Sequence, residues 1–235
     1  MKTIKGIWRF SRVICYTFVC LFQAYTRFKH VDRKEKGRML RYYPTQVLKL
    51  AGVRCSYEGH VPELLHECGL TDTPPACLVL SNHVSWLDIF SLDSQLPSRF
   101  IAKAEIAKWP IFGLIAQQIG TLFINRSSKR AILRINDDIR GALCNCEAVT
   151  IFAEGTTTFG NELLPIKANF IAPVCEIGAT VQPVILSYKN KGKPTKQAAF
   201  SGDVTLFGSL WNVVTMEDAE VVVHFLEPIT NTNDL

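Results

Sequence analysis

The sequence predicts an α/β fold: a mixed, largely parallel sheet flanked by helices and preceded by a two-helix element. Three observations predict it. Past residue 76, short apolar runs alternate with stretches of helical spacing, the pattern of strands joined through crossover helices. Before residue 52, apolar residues recur every three or four positions, a helical period. The chain has 235 residues, 48% of them hydrophobic, enough for a sizeable buried core. Its Gly and Pro are scattered, which excludes a disordered or collagen-like chain. The expected division is residues 1–51 for the helical element and 52–235 for the α/β domain.

Residues 4–28 carry Ile7, Phe10, Ile14, Phe18, Leu21, Phe22, Tyr25 and Phe28 on one broad helical stripe. Between Arg12 and Arg27 lie fourteen residues without a charge. About 20 are needed to span a bilayer core, so an interfacial or re-entrant helix is expected. A signal peptide has a similar start, but Gln23–Arg27 offers no small-residue cleavage pattern, so retention is expected. An ordinary amphipathic core helix is the remaining alternative. Residues 32–51 read as a second helix, which Pro44 could kink or break. Val53–Glu58 alternates as a strand does, and Thr71–Pro75 is a turn. Further strands are expected at 76–81, 99–103, 120–125, 148–153, 180–187, 200–206 and 220–227, with helices at 105–118 and 127–146. Pro183, inside a strand run, suggests an edge strand or a strand's opening residue. The basic run Lys189–Lys196 reads as a hairpin-type loop.

Charge is unevenly placed. Residues 1–41 hold eleven Lys or Arg against Asp32 and Glu35, so this segment is strongly positive within a net +5. A basic end on a mildly acidic body suits an anionic partner surface, membrane or nucleic acid. The basic residues flank an apolar stripe, whereas a groove reader needs a polar basic face, which argues against nucleic acid. The eight cysteines include no CxxC pair, and Cys144-x-Cys146 lacks a second ligand pair for zinc. Reduced thiols and no metal site are expected.

Chemistry enters at Asn82-His-Val-Ser-Trp-Leu-Asp88, which follows the apolar run 76–81. A histidine at a strand end with an acid five residues later can form a base and its orienting partner. Residues five apart on a regular helix point about 140° apart. His83 must therefore stand on the loop before the helix to meet Asp88 in the first turn. Ser85-x-x-Asp88 is equally a capping box, and the two readings are compatible. Gly120-Thr-Leu-Phe-Ile-Asn-Arg126 is an apolar strand ending in an arginine, able to fork onto a phosphate or carboxylate or simply to be solvated. Phe152-Ala-Glu-Gly-Thr-Thr-Thr158 runs from a strand into an acid, a glycine and three threonines: a polar turn, or a place where backbone approaches a ligand. It lacks the Gly-x4-Gly-Lys spacing of a nucleotide phosphate loop. Lys167, in Leu163–Phe170, could face the same anion as Arg126.

In order, the blocks NHVSWLD, GTLFINR, FAEGTTT and the VQPV at Val181–Val184 resemble the glycerolipid acyltransferase family of the 1-acyl-sn-glycerol-3-phosphate acyltransferase type. Phe100–Ile106 and Trp109–Gly113 resemble that family's linking segment, and the two N-terminal helices resemble its membrane-docking element. The resemblance implies acyl transfer from coenzyme A or acyl carrier protein, as co-substrate, to the free hydroxyl of a lysolipid. It implies no cofactor, no metal and no covalent enzyme intermediate. His83 would be the general base and Asp88 its orienting partner. Lys103, Gly120, Arg126, Glu154, Gly155, Thr156 and Lys167 would bind the acceptor. The implied setting is the cytoplasmic face of the inner membrane, held monotopically to its anionic lipids. The family's third block usually reads Phe-Pro-Glu-Gly-Thr-Arg-Ser. Ala153, Thr157 and Thr158 depart from it, and the missing arginine opens lysophospholipids with a diester head or a lyso-ornithine lipid as alternative acceptors. A non-catalytic membrane-binding protein would need neither His83 nor Asp88.

Overall fold

A computed structural model describes residues 2–59, 77–125, 128–166 and 170–230. Its strands are β1 (Val53–Gly59), β2 (Cys77–Ser81), β3 (Arg99–Lys103), β4 (Leu122–Ile124), β5 (Val149–Phe152), β6 (Thr180–Asn190), β7 (Lys193–Pro194) and β8 (Ala219–Phe225). They form one sheet in the order β1-β8-β6-β2-β5-β3-β4, with β7 hairpinned onto β6. The pairings β1–β8, β2–β6, β2–β5, β3–β5 and β3–β4 are parallel; β8 and β7 run antiparallel to β6. The mixed, largely parallel sheet expected from the sequence is therefore present. The C-terminal ends of β2, β3, β4 and β5 lie along one edge of it.

Helices cover both faces, as a largely parallel sheet requires. They are α1 (Lys2–Thr26), α2 (Arg33–Ala51), α3 (Leu87–Asp93), α4 (Phe112–Gln118), α5 (Lys129–Cys144), α6 (Ala172–Ile177) and α7 (Leu206–Val214). Alternate residues of each strand face opposite sides. Cys77 and Val79 of β2 join one core with Val13, Val47, Leu48, Leu87, Val213 and Val214, from α1, α2, α3 and α7. Leu78 joins the other with Ile135, Ile139, Leu143 and Val174, from α5 and α6. Both N-terminal helices thus share the core of the sheet. Arg9 of α1 is buried, and its Nη1 donates to Val214 O (3.1 Å) at the end of α7 and to Met216 O (2.9 Å) just beyond it. Gly52 ends α2 in the left-handed conformation (φ 77°), with its N–H on Leu48 O and Lys49 O. A Cβ there would come within 2.1 Å of the Arg9 guanidinium carbon. Outward from this anchor α1 exposes Ile4, Ile7, Trp8, Phe18, Phe22 and Tyr25. Among the described residues no helix is long and apolar enough to cross a membrane.

Four local expectations need correction. The helix over 105–118 is two pieces, a 3-10 turn at Ala104–Lys108 and then α4. Pro110 disfavours helix at the residue before it, and Ile111 takes φ 65°. The strand over 200–206 is absent: Gly202 turns with φ 73°, and Thr205 caps α7, its Oγ1 accepting from Gly208 N at 3.1 Å. Pro44 does not break α2, which continues to Ala51. Pro183 is neither on an edge nor at a strand opening, because β6 is central. It sits where the register against the C-terminal chain slips by one residue, between Val181↔Ile229 and Val184↔Phe225. A bulge needs one donor fewer, so proline is tolerated there. Gln182 closes it, its amide donating to Pro183 O (2.9 Å) and Leu226 O (2.7 Å). The basic run 189–196 forms the expected hairpin. Lys191 and Gly192 both have positive φ (54° and 72°) in a two-residue turn between Asn190 and Lys193.

Candidate active site

The site is built on the loop from β2 to α3, and each of its residues is tied to a different element. Asn82 continues the sheet with its side chain. Its amide donates to Leu186 O (3.0 Å) and accepts from Leu186 N (2.7 Å), so β6 keeps its ladder past the end of β2. The His83 N–H donates to Glu154 Oε1 (3.0 Å), and His83 O accepts from Thr158 N (2.8 Å). Val84 O accepts from Phe200 N (2.8 Å). The backbone carrying His83 is therefore clamped by the turn after β5 and by the segment before α7.

The loop places His83 Nδ1 2.7 Å from Asp88 Oδ2. Asp88 is fully buried in the first turn of α3, while the His83 side chain keeps 21% of its surface exposed. The same Oδ2 accepts from Val84 N (2.7 Å) and Ser85 N (2.9 Å). That is half of a capping box: the carboxylate reaches back to the backbone, while Ser85 Oγ meets Leu87 N at 3.4 Å and not the N–H of Asp88. Capping and base-orienting are functions of one oxygen. Oδ1 accepts from the Tyr188 hydroxyl of β6. Burial, and next the charge of Asp88, push the Tyr188 phenol well above its ordinary range, so it is a donor. The imidazole stacks on Phe152, ring centroids 3.9 Å apart and planes 10° from parallel. With Nδ1–H directed at a carboxylate, Nε2 carries the free lone pair.

Other residues expected at the site fall into four groups. Lys103 ends β3 and is exposed; Gly155 and the exposed Thr156 follow β5. All three lie on the His83 edge of the sheet. Gly120 does not. It precedes β4, at the opposite end of the parallel strands, where φ 88° turns the chain and its carbonyl accepts from Arg99 Nε (2.7 Å). Glu154 is on the right edge but faces inward. Only 5% exposed, it accepts from His83 N with one oxygen and from Leu164 N (3.0 Å) with the other. A carboxylate holding two backbone donors ties the loop together from behind. Arg126 and Lys167 lie outside the described residues. Thr157, where an arginine was expected, turns its hydroxyl onto Phe200 O.

Sequence reasoning gave no role to Asn82, Phe152 or Tyr188. Tyr188 carried a faint signal: a residue with a polar tip stands two positions after the apolar run Val184–Leu186. Asn82 and Phe152 lay within the quoted blocks, but their partners are remote in the chain.

Comparison with known proteins adds the following. The sequence model of the family described as Acyltransferase matches residues 62–187. The chain is 42% identical over 154 residues to a 1-acyl-sn-glycerol-3-phosphate acyltransferase of Neisseria gonorrhoeae, covering 65% of this chain and 60% of that protein. To a lyso-ornithine lipid O-acyltransferase of Pseudomonas aeruginosa it is 41% identical over 152 residues, covering 65% and 58%. A lyso-ornithine lipid O-acyltransferase of Rhizobium meliloti is 32% identical over 212 residues, with 85% and 69% covered. The match thus spans about three fifths of the length of the first two relatives. Among solved structures, a 1-acyl-sn-glycerophosphate acyltransferase from Thermotoga maritima shares the fold, with a TM-score of 0.67, 17% identity, and 99% of this chain and 88% of that chain covered.

Proposed function

Since the chain belongs to the Acyltransferase family, we propose that it transfers an acyl group from a thioester to the free hydroxyl of a lysolipid, with His83 as general base. The observation that carries this reading is the 2.7 Å contact of His83 Nδ1 with a fully buried Asp88. His83 Nε2 takes the proton of the acceptor hydroxyl as its oxygen attacks the thioester carbonyl. Asp88 stabilises the imidazolium that forms. The tetrahedral intermediate then collapses, the carbon–sulfur bond breaks, and the proton passes from the imidazolium to the leaving thiolate. The thioester is already activated, so the residues need only orient the base and the acceptor; the acyl donor, coenzyme A or acyl carrier protein, is a co-substrate and no cofactor or metal takes part.

The proposed acceptor is 1-acyl-glycerol-3-phosphate, the product phosphatidic acid. A relative of that name supports it. One observation favours a second reading, a lyso-ornithine lipid or a lysophospholipid. At position 157 a hydroxyl engaged with Phe200 O replaces an expected cation, and relatives named for lyso-ornithine lipid are almost as similar. The outward face of α1, with Trp8 and Phe22 exposed and Lys5 and Arg12 in the same helix, suits monotopic docking on anionic lipid at the cytoplasmic face of the inner membrane.

The test is an acceptor panel with purified protein and acyl-coenzyme A or acyl carrier protein, scored by thiol release and product mass. Lysophosphatidic acid should be consumed, and His83→Ala should lose on the order of 10²–10⁴-fold in rate. Consumption of lyso-ornithine lipid alone would overturn the acceptor. Full activity in His83→Ala would overturn the base.

A further inference from the structure

We propose that Tyr188 is a positioning residue of this reaction: its hydroxyl, donated to Asp88 Oδ1, governs how strongly Asp88 holds the His83 imidazolium. The inference rests on His83 being the base.

The placement comes from the sheet. β2 stops in register at Ser81↔Val184, but β6 runs on to Asn190. Asn82 holds this overhang through Leu186, and two residues later Tyr188 lies over the α3 entry. Tyr188 is 5% exposed and Asp88 is fully buried, so this hydrogen bond is shielded from water. The two carboxylate oxygens have different tasks. Oδ2 accepts from Val84 N, Ser85 N and His83 Nδ1, whereas Oδ1 takes the phenol. Each donor disperses part of one negative charge, and the imidazolium feels what is left. The titratable groups around the pair do not compete for this task. Glu154, from the turn after β5, has both oxygens on backbone N–H groups. Cys55 of β1 is also close to Tyr188, and burial raises its thiol, which stays neutral.

Two conservative changes pull in opposite directions. Tyr188→Phe removes the donor and keeps the ring. Charge concentrates on Oδ2, the imidazolium is held more tightly, and the base loses its proton at higher pH. Replacing Tyr188 by 3-fluorotyrosine makes the phenol a stronger donor and reverses the sign. The expected result is an acid limb of kcat/KM moved up by about one pH unit in the first, a tenfold change in proton affinity, and moved down in the second. The His83 ring signal, assigned by its loss in His83→Gln and titrated by NMR, should move in the same directions.

Unchanged limbs and unchanged titration in both folded proteins overturn the proposal, because packing alone moves neither. The titration needs no turnover. If the chain releases no thiol with any acceptor, the family reading of its activity fails, while shifts of the His83 signal still establish the coupling and unshifted signals still refute it. Should Tyr188→Phe fail to fold, the fluorinated protein decides alone.

Discussion

Glu154 separates two accounts of the turn after β5. As an acceptor-binding group it would contact substrate; in the structure it ties His83 N and Leu164 N together from behind. Glu154→Ala removes both bonds and leaves the His83 N–H without its acceptor. Hydrogen bonds to a charged group contribute about 1.5–3 kcal/mol each. Two at the lower end come to about 3 kcal/mol, worth roughly 6–12 °C of Tm in a chain of this size. The catalytic cost follows from geometry. Without Glu154 the His83 backbone keeps only Thr158 N on its carbonyl, and a misplacement near 1 Å costs on the order of 10²-fold in rate. Thiol-release kinetics against acceptor concentration should show kcat reduced on this scale and the acceptor KM nearly unchanged. Thermal unfolding followed by circular dichroism supplies the second reading. An unaltered Tm together with a raised acceptor KM would refute the argument, since it would put the carboxylate against the substrate.

Three further substitutions probe the scaffold. Asn82→Leu leaves Leu186 N and O buried without partners and should destabilise by about 2–6 kcal/mol, at 1–3 kcal/mol for each stranded group; chemical denaturation measures it. Gly52→Ala forces a side chain into a left-handed residue and against Arg9, and should cost at least about 1–2 kcal/mol on the same assay, with Arg9→Ala in the background recovering part of it. Asp93→Asn tests a buried carboxyl. Burial raises Asp93 well above the usual carboxylate range, outweighing the opposing N–H of Ser98. Its folded form binds the proton more tightly than the unfolded chain. The stability this gives is complete below the unfolded value of about 3.9 and is lost as pH rises through the folded value. Asn at this position should raise Tm near neutral pH, with the advantage vanishing below about pH 4.

The readable parts of this fold are those set by local pattern. Alternating apolar runs located β2, β3, β5 and β8, and three-to-four spacing located α1, α2 and α5. The corrections share a cause. Over 200–206, expected as a strand, the cap on Thr205 opens α7 instead, and Leu210, Val213 and Val214 of that helix pack into the core. At Pro183 a register slip against a segment more than forty residues away makes room for proline. Neither cause is visible within a short window of sequence.

The same boundary runs through the site. His83 and Asp88 are five residues apart, and a strand–loop–helix is enough to bring them together, so the pair and its compatibility with a cap were legible in the sequence. The family blocks added the class of chemistry. Gly120 and Glu154 stand in blocks of the same kind, yet one lies at the far end of β4 and the other faces inward, because strand direction and side-chain facing are properties of the assembled sheet. The donor on the other oxygen of Asp88 comes from the assembled sheet alone, since Tyr188 lies one hundred residues away and reaches Oδ1 across the overhang of β6.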